Sequence, residues 1–353
     1  MNTTETVREF LKNKPGYLKT GILKIQDAIY KKHGYRVDAT TIKSVKKEIK
    51  KGVEYNSDAV SELRTIAAKL GLDLVKKEVS LEAERELMFS KKKAIRDLSA
   101  PSLKDQEGMH VVLGCNHVPF HNKTLHEGIR ALLSDFKKDI KGFHLIGDFA
   151  DLNTLSSHDK GKFTAVPGLT LDKEYEVCNE ELDKFDSVLP KNCWKTYLYG
   201  NHEDRHNRWM KGMDNAKTPL QSPEDALDLW NRGYQVKTSW SQDFFTLGSH
   251  LDIFHGIYFN VHSAKAHMDK LRGSCMYVHT HRTQLYVEGD TASFNIGACA
   301  DFNSKAFNYA SRAMKSQWSN GFAVVMIDAN GRFYTTQIMV DKEGHFYFAG
   351  KKY

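Results

Sequence analysis

Five short apolar runs alternate with helix-like segments between Met109 and His281, and this alternation is the feature that most constrains the fold. The runs read MHVVLG, GFHLIGD, WKTYLYGN, LDIFHG and MYVHTH, and amphipathic stretches such as LHEGIRALL lie between them. Strands that alternate with helices are typical of a layered α/β fold. The tail predicts further strands, because GFAVVMID, GRFYTTQIMV and HFYFAGKKY are separated by turn residues.

Each of the five runs ends in residues of the types that bind metals. They are Cys115 and His117 after the first run, Asp148 and Asp151 after the second, Asn201 and His202 after the third, His255 after the fourth, and His279 and His281 after the fifth. Because α/β sheets place their sites beyond the carboxyl ends of strands, we expect these side chains to converge. Any one of them alone would be interpreted as a turn, a helix cap or a loop histidine, but the ordered series favours a metal site.

The ordered series resembles the calcineurin-like metallophosphoesterases, whose blocks read DxH, GDxxD, GNH followed by Glu or Asp, HG, and GHTH. In this sequence the blocks are Cys115–His117, Gly147–Asp151, Gly200–Glu203, His255–Gly256 and His279–His281. The resemblance spans about residues 109–300, and it departs from the family at Cys115, where Asp is expected, and at Val278, where Gly is expected. It implies an α/β fold built as a layered β-sandwich flanked by helices.

The resemblance also implies a dinuclear metal centre and assigns roles by position. Asp148 would bridge two divalent ions. The remaining ligands would be Cys115, His117 and His281 for one ion and Asn201, His255 and His279 for the other. His202 would face the substrate as an acid or a charge-stabilising group, with Asp151 orienting its imidazole. A metal-activated hydroxide would attack the phosphorus of a phosphate ester.

Cys115 stands where a carboxylate is expected. A thiolate keeps the single negative charge, and a zinc–sulfur bond of about 2.3 Å partly offsets the shorter reach of the side chain. Because sulfur is soft, this position favours Zn or Fe over Mn. The alternative is that this metal position is lost and the domain only binds, but every other ligand position has the expected residue type.

Two arginines just beyond the third block are candidate substrate-binding residues. Arg205 and Arg208 could each bind a substrate phosphate with a fork of N–H donors. They could equally be solvated side chains, since the motif ends at Glu203.

The positive charge of the chain lies in its first third. Residues 1–105 hold 23 Lys and Arg against 15 Asp and Glu, a net charge of +8, whereas the remainder has a net charge of −1. This imbalance predicts an acidic partner, with DNA as the first candidate.

A helix-turn-helix-like unit is predicted within this basic third. The stretch ATTIKSVKKEIKKG places an apolar stripe on one face of a helix and candidate DNA-binding lysines on the other, namely Lys43, Lys46, Lys47 and Lys50. The alternative is a solvated Lys-rich helix that packs within its own small bundle.

We therefore expect a basic all-α domain at residues 1–54, a helical connector at 55–106 and the phosphoesterase-like domain at 107–353. The five scattered cysteines, the absence of a long apolar run and the polar N-terminus favour a cytoplasmic protein without a membrane anchor. The pairing of these domains and the closing GHFYFAGKKY resemble phage or prophage proteins. Oligomeric state is left open.

Three functions fit this organisation. The first is a metal-dependent phosphodiesterase or nuclease directed to DNA, the second a DNA-binding regulator with a weakened phosphoesterase fold, and the third a phosphomonoesterase or protein phosphatase. Salt-sensitive DNA binding would separate the first two from the third, because phosphate contacts release counterions. Loss of turnover on substitution of Asp148 or His202 would separate the first from the second.

Overall fold

The computed structural model describes residues 100–156, 166–212 and 221–353, together with four isolated residues of the N-terminal third. The chain divides into two compact units, Met1–Lys92 and Lys93–Tyr353, and the fold described below belongs to the second.

The four isolated residues are helical and buried, and they are Val7, Leu11, Ile29 and Ile42. Each falls in a stretch for which the sequence predicts a helix. The helix-turn-helix-like arrangement and residues 55–99 of the connector lie outside the described residues. So do the candidate DNA-binding residues Lys43, Lys46, Lys47 and Lys50.

The first layer is a six-stranded sheet. Its strands are β1 (Gly108–Leu113), β2 (Ile140–Ile146), β3 (Trp194–Leu198), β4 (Tyr234–Lys237), β10 (Gly321–Ile327) and β11 (Phe333–Met339). They lie in the order β11-β10-β1-β2-β3-β4. The strands β1 to β4 are parallel to one another, whereas β10 pairs antiparallel with both β1 and β11.

The second layer is a five-stranded sheet. Its strands are β5 (Phe245–Leu247), β6 (Leu251–Ile253), β7 (Cys275–Tyr277), β8 (Thr283–Glu288) and β9 (Thr291–Ile296), and they lie in the order β5-β6-β7-β9-β8. The strands β6, β7 and β9 are parallel, so β6 and β7 end at the same edge. A separate hairpin follows, formed by β12 (Tyr347–Phe348) and β13 (Lys351–Lys352).

The α-helices of the described ranges are α1 (Leu103–Gln106), α2 (Lys123–Asp135), α3 (Leu171–Val188), α4 (Asp204–Gly212), α5 (Pro223–Ala226), α6 (Ser263–Leu271) and α7 (Arg312–Lys315). Helices α2 and α3 pack on the first sheet, and α6 packs on the second. The helix α2 begins after Asn122, whose side-chain oxygen accepts a hydrogen bond from the Leu125 N–H at 3.0 Å. Within the described ranges, no helix combines the length and the apolar character needed to cross a membrane.

Two apolar cores separate the layers. On β1, Val111 and Leu113 pack with α2 and α3, whereas Val112 faces the second sheet. This division follows from the alternation of side chains along a strand. Residues of α6 pack with the other face of the second sheet, where Ala264 contacts the cluster around Tyr277. The α/β layered sandwich flanked by helices, which the sequence predicted, is confirmed.

Two histidines are buried between the sheets. The Nδ1 atom of His110 on β1 lies 3.0 Å from Nε2 of His144 on β2, and the outer nitrogens meet the Gln106 carbonyl at 2.7 Å and the Thr196 hydroxyl at 2.9 Å. The indole of Trp194 packs edge-on against both rings. Burial lowers the pKa of His110 to about 4, and burial followed by the charge of His110 lowers that of His144.

This pair makes the fold sensitive to acid. Because the pKa of His110 is lower in the folded state than its usual 6.5, the unfolded chain binds protons first. His110 therefore imposes no loss of stability above pH 6.5. As the pH falls towards 4, its protonation lowers the free energy of unfolding by about 3 kcal/mol. Urea unfolding at several pH values measures the loss, and we expect a shallower pH dependence in His110→Gln. The control is His250→Gln, at an exposed histidine, which should keep the wild-type dependence of unfolding free energy on pH. An unchanged dependence in His110→Gln would show that His110 does not cause the acid sensitivity.

Candidate metal centre

The site lies where the carboxyl ends of β1, β2, β3, β6 and β7 meet. The Asp148 carboxylate is at its centre, with Oδ2 3.3 Å from His255 Nε2 and 3.9 Å from Nε2 of both His117 and His202. This carboxylate follows β2 in the first sheet, whereas His255 follows β6 in the second. The two layers therefore bring together residues that are far apart in the sequence.

One half of the donor set is formed by Cys115, His117 and His281. Their ligand atoms lie within 4.8 Å of one another, and Nε2 of His117 is 3.0 Å from Nε2 of His281. The Sγ atom of Cys115 points to the second half, where it accepts a hydrogen bond from the His279 N–H at 3.1 Å. Cys115 also forms a close group with Asp148 and His255.

The other half is formed by Asn201, His255 and His279. The Nε2 atom of His255 lies 3.0 Å from Asn201 Oδ1 and 3.2 Å from His279 Nδ1. All seven predicted ligands therefore lie together around Asp148, and five of them are buried. These His, Asp and Cys clusters have the donor types and spacing to bind a divalent metal.

The hydrogen bonds of two imidazoles orient their Nε2 atoms towards the donor set. The Nδ1 atom of His255 faces the Ile146 carbonyl at 3.1 Å, and Nδ1 of His117 faces the Asp151 carboxylate at 2.9 Å. Their Nε2 atoms lie at hydrogen-bond distance from other candidate ligand atoms. Burial lowers the pKa of His255, but the charge of Asp148 outweighs it, so the pKa lies above its usual value. Metal binding at His255 would therefore displace a proton.

Burial keeps several of the imidazoles neutral. Burial lowers the pKa of His279 to about 3, and it also lowers the pKa of His117 and His281. Neutral imidazole is the form that binds a metal. For Cys115, burial raises the pKa of the thiol, and the charge of Asp148 raises it further. Metal binding at Cys115 would therefore release a proton.

The ligands are held in strained backbone conformations. Five of the predicted ligands have φ between +47° and +72°, namely Cys115, His117, Asp148, His279 and His281. A non-glycine residue in this region costs on the order of 1–2 kcal/mol. Such strain persists where the surrounding structure enforces it, and its concentration here indicates a functional site.

The glycines before two of the ligands allow a close approach. A Cβ atom on Gly147 would overlap the His255 ring, and one on Gly200 would overlap the Asp148 carboxylate. Gly147 also has a φ of +98°, which side chains rarely adopt. The Gly-Asp and Gly-Asn pairs of the sequence are thus explained by packing at the site.

His202 lies beside the donor set, and about a tenth of its side chain is exposed to solvent. Its backbone N–H donates to Asp148 Oδ1 at 2.8 Å, and its Nδ1 lies 2.9 Å from the Asp151 carbonyl oxygen. The Asp151 carboxylate is closer to Nδ1 of His117, at 2.9 Å, than to Nδ1 of His202, at 3.3 Å. Asp151 thus orients both imidazoles, holding His202 largely through its main chain.

The two arginines occupy different positions. The Nη1 atom of Arg205 donates to the Asp151 carbonyl at 2.8 Å, and Nη2 lies 3.2 Å from Nε2 of His202. Arg205 therefore packs against the candidate catalytic histidine. The side chain of Arg208 is 51% exposed and donates to the Asn201 carbonyl at 2.7 Å. Both guanidinium groups therefore contact residues of the Gly200–Glu203 segment, at the edge of the donor set.

Glu203 has a role that the sequence did not indicate. Its buried carboxylate accepts hydrogen bonds from the N–H groups of Asp148, Ala150 and Gly200 and from the Tyr197 hydroxyl, at 2.8 to 3.0 Å. It thereby ties the loop after β2 to the loop after β3. The resemblance predicted a carboxylate at position 203, but the neighbouring sequence gave no indication of its hydrogen-bond partners.

No protein-family model matches the chain, and no curated protein matches it at the significance threshold. Solved structures with low-level similarity include the following three. Vacuolar Protein Sorting 29 from Cryptosporidium parvum has 13% identity and a TM-score of 0.36, covering 70% of this chain and 95% of its own. Vps29 from Entamoeba histolytica, complexed with zinc, has 10% identity and a TM-score of 0.34, covering 69% and 96%. A predicted phosphoesterase from Streptococcus pneumoniae has 13% identity and a TM-score of 0.28, covering 72% and 99%. Similarity this low carries no conclusion about activity, substrate or metal.

Proposed function

We propose that the chain is a metal-dependent phosphoesterase with a dinuclear centre that hydrolyses phosphodiesters. The observation that carries the proposal is the convergence of acceptor atoms around Asp148 Oδ2, with Nε2 of His255 at 3.3 Å and Nε2 of His117 at 3.9 Å. Seven candidate ligands are more than the four that a zinc ion usually takes. Two ions, held by the two halves of the donor set together with Asp148, would account for all seven.

The bound ions would supply positive charge that polarises the phosphoryl group and acidifies water. The remaining work falls to residues of the chain. His202 would stabilise the developing charge, or protonate the leaving oxygen after its Nε2 is released from Arg205 and protonated. Its ring borders the donor set, and Asp151 fixes its orientation. Arg205 would favour the anionic substrate, since its guanidinium lies 3.2 Å from the His202 ring.

Cys115 would influence which ion binds. Its sulfur belongs to the group formed with His117 and His281, so the first ion would have one sulfur and two nitrogen donors in addition to Asp148. Soft donors favour Zn and Fe over Mn. The second ion would have the harder oxygen donors of Asn201 and Asp148 beside two imidazoles.

The test is metal analysis of protein purified under reducing conditions, followed by a substrate panel. We expect two divalent ions per chain and turnover of bis-p-nitrophenyl phosphate that exceeds turnover of p-nitrophenyl phosphate. His202→Ala should keep the metals and lose on the order of 100-fold or more in kcat. His250→Ala, at an exposed histidine, is the control. At most one ion per chain, together with no turnover in either the wild type or Cys115→Asp, would refute the proposal.

We also propose that DNA is the substrate or the partner. The support is the net charge of +8 in residues 1–105, with Lys43, Lys46, Lys47 and Lys50 on one predicted helix. Such binding should weaken steeply as salt increases, because each phosphate contact releases a counterion. A filter-binding or anisotropy titration of the full chain at several salt concentrations measures how steeply DNA affinity falls with salt. The absence of DNA binding at low salt would exclude DNA as the substrate or partner.

A further inference from the structure

Aromatic side chains border the half of the donor set that contains His117 and His281. The Trp318 ring lies 4.8 Å from the His281 ring, and the Phe307 ring lies 5.3 Å from the His117 ring. Tyr309 packs on both of these aromatics, with its ring 6.4 Å from Phe307 and 6.3 Å from Trp318. Tyr309 is thus separated from the two imidazoles by a single layer of side chains.

Tyr309 lies at the solvent-exposed edge of this aromatic group. Its ring packs on Phe307 and Trp318, yet the residue is 54% exposed. An aromatic ring in this position could stack on a substrate whose phosphate lies at the donor set.

The other half of the donor set also has an aromatic neighbour. The Trp240 ring lies 6.0 Å from the His279 ring, tilted by 35°, and 6.3 Å from the His255 ring. Aromatic surfaces therefore flank both halves of the donor set. A phosphodiester carries one substituent on each side of the phosphorus, whereas a phosphomonoester carries only one.

We propose that Tyr309, backed by Trp318, forms a stacking surface for a nucleobase of the substrate. This inference rests on the proposed phosphodiesterase function and names its substrate class, a phosphodiester between nucleosides. Stacking suits such a substrate because every base has a flat π face, whatever the sequence. The hydroxyl of Tyr309 is not needed for stacking, so the ring alone should carry the effect.

The experiment is calorimetric titration of the full chain with a thymidine dinucleotide whose phosphorothioate linkage slows hydrolysis. We expect Tyr309→Ala to raise the Kd about tenfold, as for the loss of one stacked base. Tyr309→Phe should retain wild-type affinity. Binding of inorganic phosphate and metal content should be unchanged in both variants. The control is Tyr347→Ala, because Tyr347 is 69% exposed and lies on the separate β12–β13 hairpin.

Equal dinucleotide affinity in the wild type and Tyr309→Ala would overturn the inference, as would the absence of wild-type binding at millimolar concentration. A drop in affinity for inorganic phosphate equal to that for the dinucleotide would also overturn it. Binding is measured without turnover, so its result can be separated from that of the activity test. A Tyr309-dependent affinity in a protein that does not hydrolyse bis-p-nitrophenyl phosphate would leave the stacking surface standing and reject the phosphodiesterase.

Discussion

Asp148→Asn should abolish metal binding at the bridging position and lower turnover by three orders of magnitude or more. The carboxylate lies within 3.3 to 3.9 Å of three imidazoles and faces both halves of the donor set. Loss of its charge removes the one group that both ions would share. A loss of about 4 kcal/mol in transition-state stabilisation corresponds to about 1000-fold in rate.

This substitution should leave the fold intact. An asparagine oxygen can still accept the His202 N–H that Asp148 Oδ1 accepts at 2.8 Å. Metal analysis, turnover of bis-p-nitrophenyl phosphate and thermal unfolding together separate loss of function from loss of structure. Asp135→Asn is the matched control, because Asp135 pairs at the surface with Lys351. Two ions per chain and wild-type turnover in Asp148→Asn would show that Asp148 is not the bridging ligand.

Glu203→Ala should destabilise the fold by about 4 kcal/mol, the size expected when one partner of a buried charged network is removed. The carboxylate accepts four hydrogen bonds, three from backbone N–H groups and one from Tyr197. Truncation leaves these donors without an acceptor in the interior. It also frees the loops that carry Asp148 and Asn201, so metal binding should weaken together with stability.

Urea and thermal unfolding measure this loss, and a decrease in Tm of about 10 °C is expected for a domain of this size. Glu176→Ala is the control, since Glu176 is 57% exposed and pairs with Lys173 at the surface. Exposed pairs contribute no more than about 1 kcal/mol. A Glu203→Ala protein with wild-type Tm would mean that water or other groups satisfy the donors.

Most of the strands that the sequence predicted contain several apolar residues in succession. The runs before Cys115, Asp148 and Asn201 became β1, β2 and β3, because strands covered on both faces are rich in apolar residues. Four strands were not predicted, namely β4, β5, β8 and β9. The strand β5 has only three residues, and β8 is an edge strand with few buried residues. Such strands leave too weak a hydrophobic pattern to be recognised.

The partition of these strands into two sheets also required the structure. Nothing in the local pattern distinguishes β3 from β6, although they belong to different layers. Layer membership depends on which apolar faces pack together, and this is decided by contacts between residues distant in the chain. The alignment of the carboxyl ends of both sheets at one site follows from that packing.

By itself, the sequence determined the chemical types of the donors and their order, because a residue type is a local property and each donor follows an apolar run. Only the tertiary structure decided which donors face each other. His117 and His281 are 164 residues apart in the chain, yet their Nε2 atoms lie 3.0 Å apart. Only the structure likewise showed that Glu203 ties the loops after β2 and β3 together, and that Tyr309 lies beside the site. These arrangements arise from the packing of two sheets, which no short stretch of sequence encodes.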